Sequence, residues 1–130
     1  LEKPLSKIRR RFEIDYKNGK HIGWTSTYYI NENKDMLAIG IDIPNEDYRG
    51  KRLGEYALIC FISYILEEEP LQNIYTQTWS GNGRMVRLAL KLGFKEFERK
   101  KDFRKVNGKN YDGLTFKLNK DIFYQRHGTI

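Results

Sequence analysis

The sequence predicts an α/β domain of the α+β kind: a mixed, mostly antiparallel sheet with element order β-β-β-α-β-α-β-β and one parallel crossover. Three observations carry this. Runs with strand patterning are separated by Asn-Gly pairs at Asn18-Gly19 and Asn107-Gly108, the two-residue turns that join antiparallel strands. Two apolar segments, 54–69 and 82–93, have the length of helices and end in helix stops. The first of these helices separates two strands, and strands joined through a helix pair in parallel.

The elements follow in order. "RRFEIDY" alternates apolar and polar residues, "KNGK" turns the chain, and "HIGWTSTYYI" is the partner strand. "NENKD" closes a second turn into "MLAIGIDI", 36–43, whose apolar and β-branched run predicts a central strand. Gly40 inside it marks either a bulge or a close packing contact. Pro44 ends the strand. "GEYALICFISYILEEE" is apolar almost all round, which predicts a helix buried on more than one side, and Pro70 stops it. "NIYTQTW" is a short strand. "NGRMVRLALKLG" is an amphipathic helix with Asn82 as its N-cap and Gly93 in the left-handed position past its end. "FKEFERKKDFRKV" and "YDGLTFKL" form the last hairpin, the basic run 98–105 being a solvated face, and "NKDIFYQRHGTI" is a tail.

The 130 residues suffice for one domain, 1–130, and 39% hydrophobic content gives it a core. No run approaches the ~18 apolar residues of a membrane span, and "LEKPLSKIRRRFE" lacks the apolar centre of a signal peptide. A chain starting with Leu reads as a fragment or a processed product. The single cysteine, Cys60, lies in an apolar stretch and is expected to be a buried small side chain in a reducing cytoplasm. His21 and His127 have no metal-ligand spacing. The net charge of +7 and pI of about 9.5 favour an anionic partner such as a phosphorylated cofactor, nucleic acid or an acidic surface.

The strand-to-helix junction "DYRGKRLGEY", 47–56, combines that charge with backbone freedom. A helix amino terminus offers unpaired N–H donors and about half a positive charge. Gly50 and Gly54 allow close approach, and Arg49, Lys51 and Arg52 add cations, which together suit a phosphate. The turn matches neither a Walker loop nor the dinucleotide fingerprint.

Longer blocks around this turn resemble the GNAT N-acetyltransferase superfamily, nearest in character to its ribosomal-protein-alanine and polyamine branches. "IDIPNEDYRGKRLGEYAL" resembles the family's acetyl-CoA motif, Gln/Arg-x-x-Gly-x-Gly/Ala, with Arg49 at the first position, Gly54 at the last and Arg52 where the first glycine is expected. "WSGNGRMVRLALKLGF" resembles the later helix, and "FRKVNGKNYDGLTFKL" the closing hairpin, so the likeness covers about 9–118. The resemblance implies acetyl-CoA as co-substrate and a primary amine, small or a protein N-terminus, as acceptor. It implies that Arg49, Gly50, Lys51, Arg52, Leu53 and Gly54 hold the pyrophosphate. It implies that Ile41, Asp42 and Ile43 pair with the pantetheine arm and that Asn82 lies by the thioester. For this, the strand ending at Ile43 must splay from the one at 74–79.

The family's usual acid, a tyrosine seven residues after the Asn, is Ala89 here; a thiolate of pKa ~8.5 leaves without much help. Asp42 and Glu46 are candidate bases, neither assigned, and Trp24, Tyr28, Tyr29, Trp79 and Tyr111 are candidates for an acceptor pocket. Family members usually begin with a strand and helices that build the acceptor side. This chain reads as lacking them, so a homodimer or domain swap is a candidate source of that surface. Two alternatives stand beside the enzyme: a CoA-binding pseudoenzyme, and a basic nucleic-acid module using Phe97, Phe103, Tyr111 and Phe116 along the last hairpin. No RNP-like or zinc motif supports the latter, and nucleic acid is not the expected partner.

Overall fold

A computed structural model describes residues 11–15, 19–33, 35–48 and 52–128, without the side chains of Arg11 and Glu46. Strands β1 (Arg11–Asp15), β2 (His21–Tyr29) and β3 (Met36–Asp42) lead through a short 3₁₀ turn at Glu46–Tyr48 into helix α1 (Leu53–Glu68). Strand β4 (Asn73–Trp79), helix α2 (Gly83–Leu92), strands β5 (Phe94–Val106) and β6 (Lys109–Leu118) and helix α3 (Lys120–His127) follow. They build one six-stranded sheet of order β1-β2-β3-β4-β6-β5. Only β3 and β4 run parallel, as the crossover through α1 requires. The last hairpin turns at Asn107 and Gly108, both at positive φ, in the two-residue form the sequence predicts.

All three helices bury their apolar residues on one face of the sheet. Leu58, Ile62 and Ile65 of α1, Ala89 and Leu92 of α2 and Phe123 of α3 join Leu37, Ile39, Ile74, Leu114 and Phe116 in one core. Helix α2 is capped as its sequence dictates: Asn82 Oδ1 accepts from the Met85 N–H at 3.1 Å, and Gly93 closes it at φ 107°.

Four expectations are corrected. The tail folds into α3, because Asn119 accepts from the Ile122 N–H at 3.0 Å and Phe123 is fully buried against the end of α2. Helix α1 is buried on one face only. Leu58, Phe61, Ile62, Ile65 and Leu66 face the core, whereas Tyr56 is 71% exposed. Cys60 lies on the exposed side, so its apolar neighbours in sequence are not its neighbours in space. Gly40 is neither bulge nor tight contact. The β2–β3 register runs unbroken from Trp24↔Asp42 to Tyr29↔Leu37, and a Cβ on Gly40 would meet only the Ser26 hydroxyl at 3.6 Å.

Candidate cofactor site

The sheet opens between β3 and β4. Their parallel pairing covers Met36↔Asn73, Leu37↔Ile74 and Ala38↔Tyr75 and then stops. From Ile39 onward β3 stays paired with β2 alone, so its other edge carries backbone donors and acceptors with no β4 partner. At the parting point, the Thr76 hydroxyl donates to the Ile39 carbonyl at 2.9 Å, in a buried position. That bond satisfies a carbonyl the ladder has just released. On the β2 side, a Cβ on Gly23 would collide with the Asp42 carbonyl, so glycine lets β2 stay close to the end of β3.

The opening is a cleft of about 460 Å³ lined by Ile41, Asp42 and Ile43 of the strand, Gly54 of α1, and Asn82, Arg84, Met85 and Leu88 at the start of α2. Five of the expected site residues therefore meet here: Ile41, Asp42, Ile43, Gly54 and Asn82. Asn82 serves its helix as N-cap through Oδ1, and that bond does not use its side-chain NH₂ donors. Arg49, Gly50 and Lys51 lie outside the described residues, as does the side chain of Glu46. Arg52 and Leu53 border them as the N-cap and first residue of α1.

Arg52 stands at φ 63°, ψ 13°, a left-handed conformation that costs a non-glycine residue about 1 kcal/mol or more. This is the position where the resemblance expects glycine, which takes that conformation at no steric cost. No side chain caps α1 among the described residues, so its first-turn N–H groups lack a side-chain acceptor. The one acid in that turn, Glu55, is drawn aside by Lys91 of α2 at 2.9 Å, with Arg52 at 3.8 Å. The Lys91 hydrogen bond, with smaller help from nearby cations, holds the Glu55 carboxyl below its ordinary range.

Asp42 is exposed and alternates with the more buried Ile41 and Ile43, as strand geometry dictates. Ala89 is fully buried in the core, and the α2 residues that do face the cleft include no group that gives up a proton near neutrality. Arg84, Met85 and Leu88 were not anticipated as lining residues. The amphipathic period of α2 counted from Asn82 is the signal that marks them. The five candidate acceptor aromatics do not form one pocket. Trp79 and Tyr111 pack edge to face at 5.0 Å, and Tyr28 reaches over β3 to donate to Gln77 at 2.6 Å, its own hydroxyl pKa raised by burial. Tyr29 packs against the core on the other face.

The sheet thus parts at its one parallel pair, beside a helix end that no side chain caps among the described residues, as the resemblance to the acetyltransferases requires. The family model for the acetyltransferase (GNAT) domain matches residues 3–95, and the chain belongs to that family of acyltransferases. Among curated proteins it is 24% identical over 128 residues to the SPbeta prophage-derived uncharacterized N-acetyltransferase YokL of Bacillus subtilis (strain 168), covering 98% of this chain and 72% of that protein. Among solved structures it is similar to a spermidine N-acetyltransferase SpeG variant from Vibrio cholerae, with TM-score 0.74, 20% identity, and 90% of this chain and 69% of that one covered. It is also similar to a ribosomal-protein-alanine N-acetyltransferase from Brucella melitensis, with TM-score 0.68, 19% identity, and 80% and 65% covered. At these identities the structural likeness concerns the fold.

Proposed function

We propose that this chain, as a single domain over 1–130, binds acetyl-CoA in the β3–β4 cleft and transfers its acetyl group to a primary amine. One observation carries the reading: the edge of β3 that β4 leaves at Gly40–Asp42 lies beside the amino end of α1, which no side chain caps among the described residues. On this reading the backbone of Ile41, Asp42 and Ile43 pairs with the pantetheine amides as a strand would. The first-turn N–H groups at Leu53 and Gly54, with the adjoining backbone from Arg49 through Gly50 and Lys51 to Arg52 and the charges of Arg49 and Lys51, take the pyrophosphate. The amide NH₂ of Asn82 faces the thioester end.

In the chemical step, the amine nitrogen attacks the thioester carbonyl. Backbone N–H groups of β3 stabilise the oxyanion, and the C–S bond breaks to release a thiolate. The amine proton passes to water or to a carboxylate near the cleft. No acid is needed from α2, because a thiolate is a good leaving group near neutrality. The same reading places the chain in a reducing cytoplasm, where one exposed thiol stays reduced. It also allows a homodimer or swap in which a second copy completes the acceptor side.

Titration with acetyl-CoA, comparing wild type with Gly54→Pro, tests the reading. Gly54→Pro removes one N–H from the helix mouth and is expected to lower affinity at least tenfold while the circular dichroism spectrum holds. Failure of the wild type to bind sinks the reading, and equal binding by both forms sinks the assignment of the turn. Thiol release with a panel of amines separates an enzyme from a CoA-binding pseudoenzyme.

A further inference from the structure

The helices cover one face of the sheet, and among the described residues no helix packs on the other. On the β4–β6–β5 part of that open face, cations stand over aromatic rings in succession. Lys109 Nζ lies 5.4 Å from the Tyr111 ring centre, Arg104 4.9 Å from Trp79, and Lys100 5.7 Å from Phe103. Lys117 lies 5.9 Å from both Tyr75 and Phe97. Phe97 and Phe103 are 50% and 56% exposed, a large apolar cost for a protein surface without a partner. Phe116, by contrast, is buried in the core and belongs to the other face.

The arrangement is built in. The register of β5 and β6 breaks between Lys100 and Arg104, where Asp102 takes φ 52°. Asp112 fixes this bulge: it accepts from Arg99 and from the Asp102 N–H at 3.1 Å, while its own N–H donates to Ser80 Oγ at 2.9 Å. The bulge turns Phe103 onto Gly113, where a Cβ would stand 3.0 Å from the ring. A hollow of about 490 Å³ opens there between Trp79, Phe103 and Thr115, and it shares no residue with the β3–β4 cleft.

We propose that this open face binds single-stranded nucleic acid, its bases stacking on Phe97, Phe103 and Trp79 and its phosphates meeting the interleaved cations. Among the described residues, Lys95, Lys100, Arg104, Lys109 and Lys117 share the face by register, against Glu98 and, near Tyr75 at its edge, Asp35. That imbalance disfavours a second copy of the same face and favours a polyanion. Exposed rings beside the cations favour a polyanion that itself carries planar groups. Along β6 the cationic rungs run from Lys109 to Lys117, about 27 Å at ~3.4 Å per residue. That length suits roughly four nucleotides, the short end of such sites.

Fluorescence anisotropy with a labelled oligothymidylate tests this on the full chain, first without and then with saturating acetyl-CoA. Four neutralised phosphates predict affinity falling roughly 50-fold between about 50 and 200 mM salt. Phe97→Ala with Phe103→Ala, which leaves the charge unchanged, is expected to weaken binding at least tenfold. Lys100→Gln with Lys117→Gln does the same should the first pair fold poorly. The proposal is overturned by absence of binding at the lower salt, or by displacement with acetyl-CoA, which places the oligonucleotide in the cofactor cleft. It is equally overturned if folded Phe variants bind like wild type, or if polyglutamate competes as well as unlabelled oligonucleotide, which assigns the face to acidic peptides. Because the readout is binding of an oligonucleotide, it is independent of whether the chain transfers acetyl groups.

Discussion

The two halves of the β3–β4 pair are made of similar residues and do different work. In the first half, Leu37 and Ile74 sit opposite each other, paired in parallel and almost fully buried in the core. In the second half, Ile41 is just as apolar, but it stands on a strand edge that β4 has left, and with Ile43, one residue past the end of β3, it lines the cleft. The same side-chain chemistry is buried in the core where the ladder is closed and lines the proposed cofactor cleft where it is open. What separates the halves is main-chain pairing, and the Thr76 hydroxyl on the Ile39 carbonyl marks the boundary.

The comparison breaks if matched truncations fail to separate. Ile74→Ala, in the closed half, is expected to cost about 3 kcal/mol in denaturant unfolding, with acetyl-CoA affinity unchanged in the folded fraction. Ile43→Ala is expected to cost under about 1 kcal/mol, its half-buried side chain leaving a hole that water can fill, and to weaken acetyl-CoA instead. Equal stability losses, or equal affinity losses, dissolve the distinction.

Next in size is the boundary itself. Thr76→Val keeps the volume but strands the buried Ile39 carbonyl, for an expected loss of about 1–3 kcal/mol by the same unfolding measurement. A smaller loss than this means the carbonyl finds another donor and the parting point is not held by Thr76.

Smaller still is the Lys91–Glu55 link across the helix mouth. The folded-state pKa of Glu55 is depressed, so its contribution is fully present above the ordinary carboxylate pKa and is lost as pH falls through the folded value. Lys91→Met is expected to lower stability by up to about 1 kcal/mol at neutral pH, since Lys91 is half exposed and screened. Wild-type and variant melting curves should converge in acid below the folded Glu55 pKa. A difference that persists there assigns the loss to packing.

The smallest effect concerns Arg52. Arg52→Gly relieves a left-handed arginine and gives up only a long, exposed pairing with Glu55. It is expected to raise the melting temperature slightly, by less than about 1 kcal/mol of stability, and to leave or improve acetyl-CoA binding. A clear loss of affinity instead assigns the Arg52 side chain to the ligand.

Much of this was legible in the residues. The caps of α2 are local chemistry: Asn82 and Gly93 act within a few residues of themselves, and both take the geometry their types prefer. The Asn107-Gly108 turn is likewise set by its own two dihedral pairs. The misreadings have a common origin. Helix α3 is short and lacks a clear apolar stripe, so the Asn119 cap alone does not set it apart from a tail, and what completes it is Phe123, fully buried against the end of α2. Cys60 is exposed among apolar sequence neighbours because apolar content along a helix does not bury every side of it, and the sheet offers α1 only one face.

By itself, then, the sequence determined the six strands, the first two helices, their order and the single parallel pair, because periodicity, capping and turn geometry act over a few neighbouring residues. Only the tertiary structure decided where β3 and β4 part, which residues of α2 reach the cleft, and which face of the sheet stays open. Those outcomes depend on strand twist and on contacts between residues far apart in the chain, such as Thr76 with Ile39, and no local pattern encodes them.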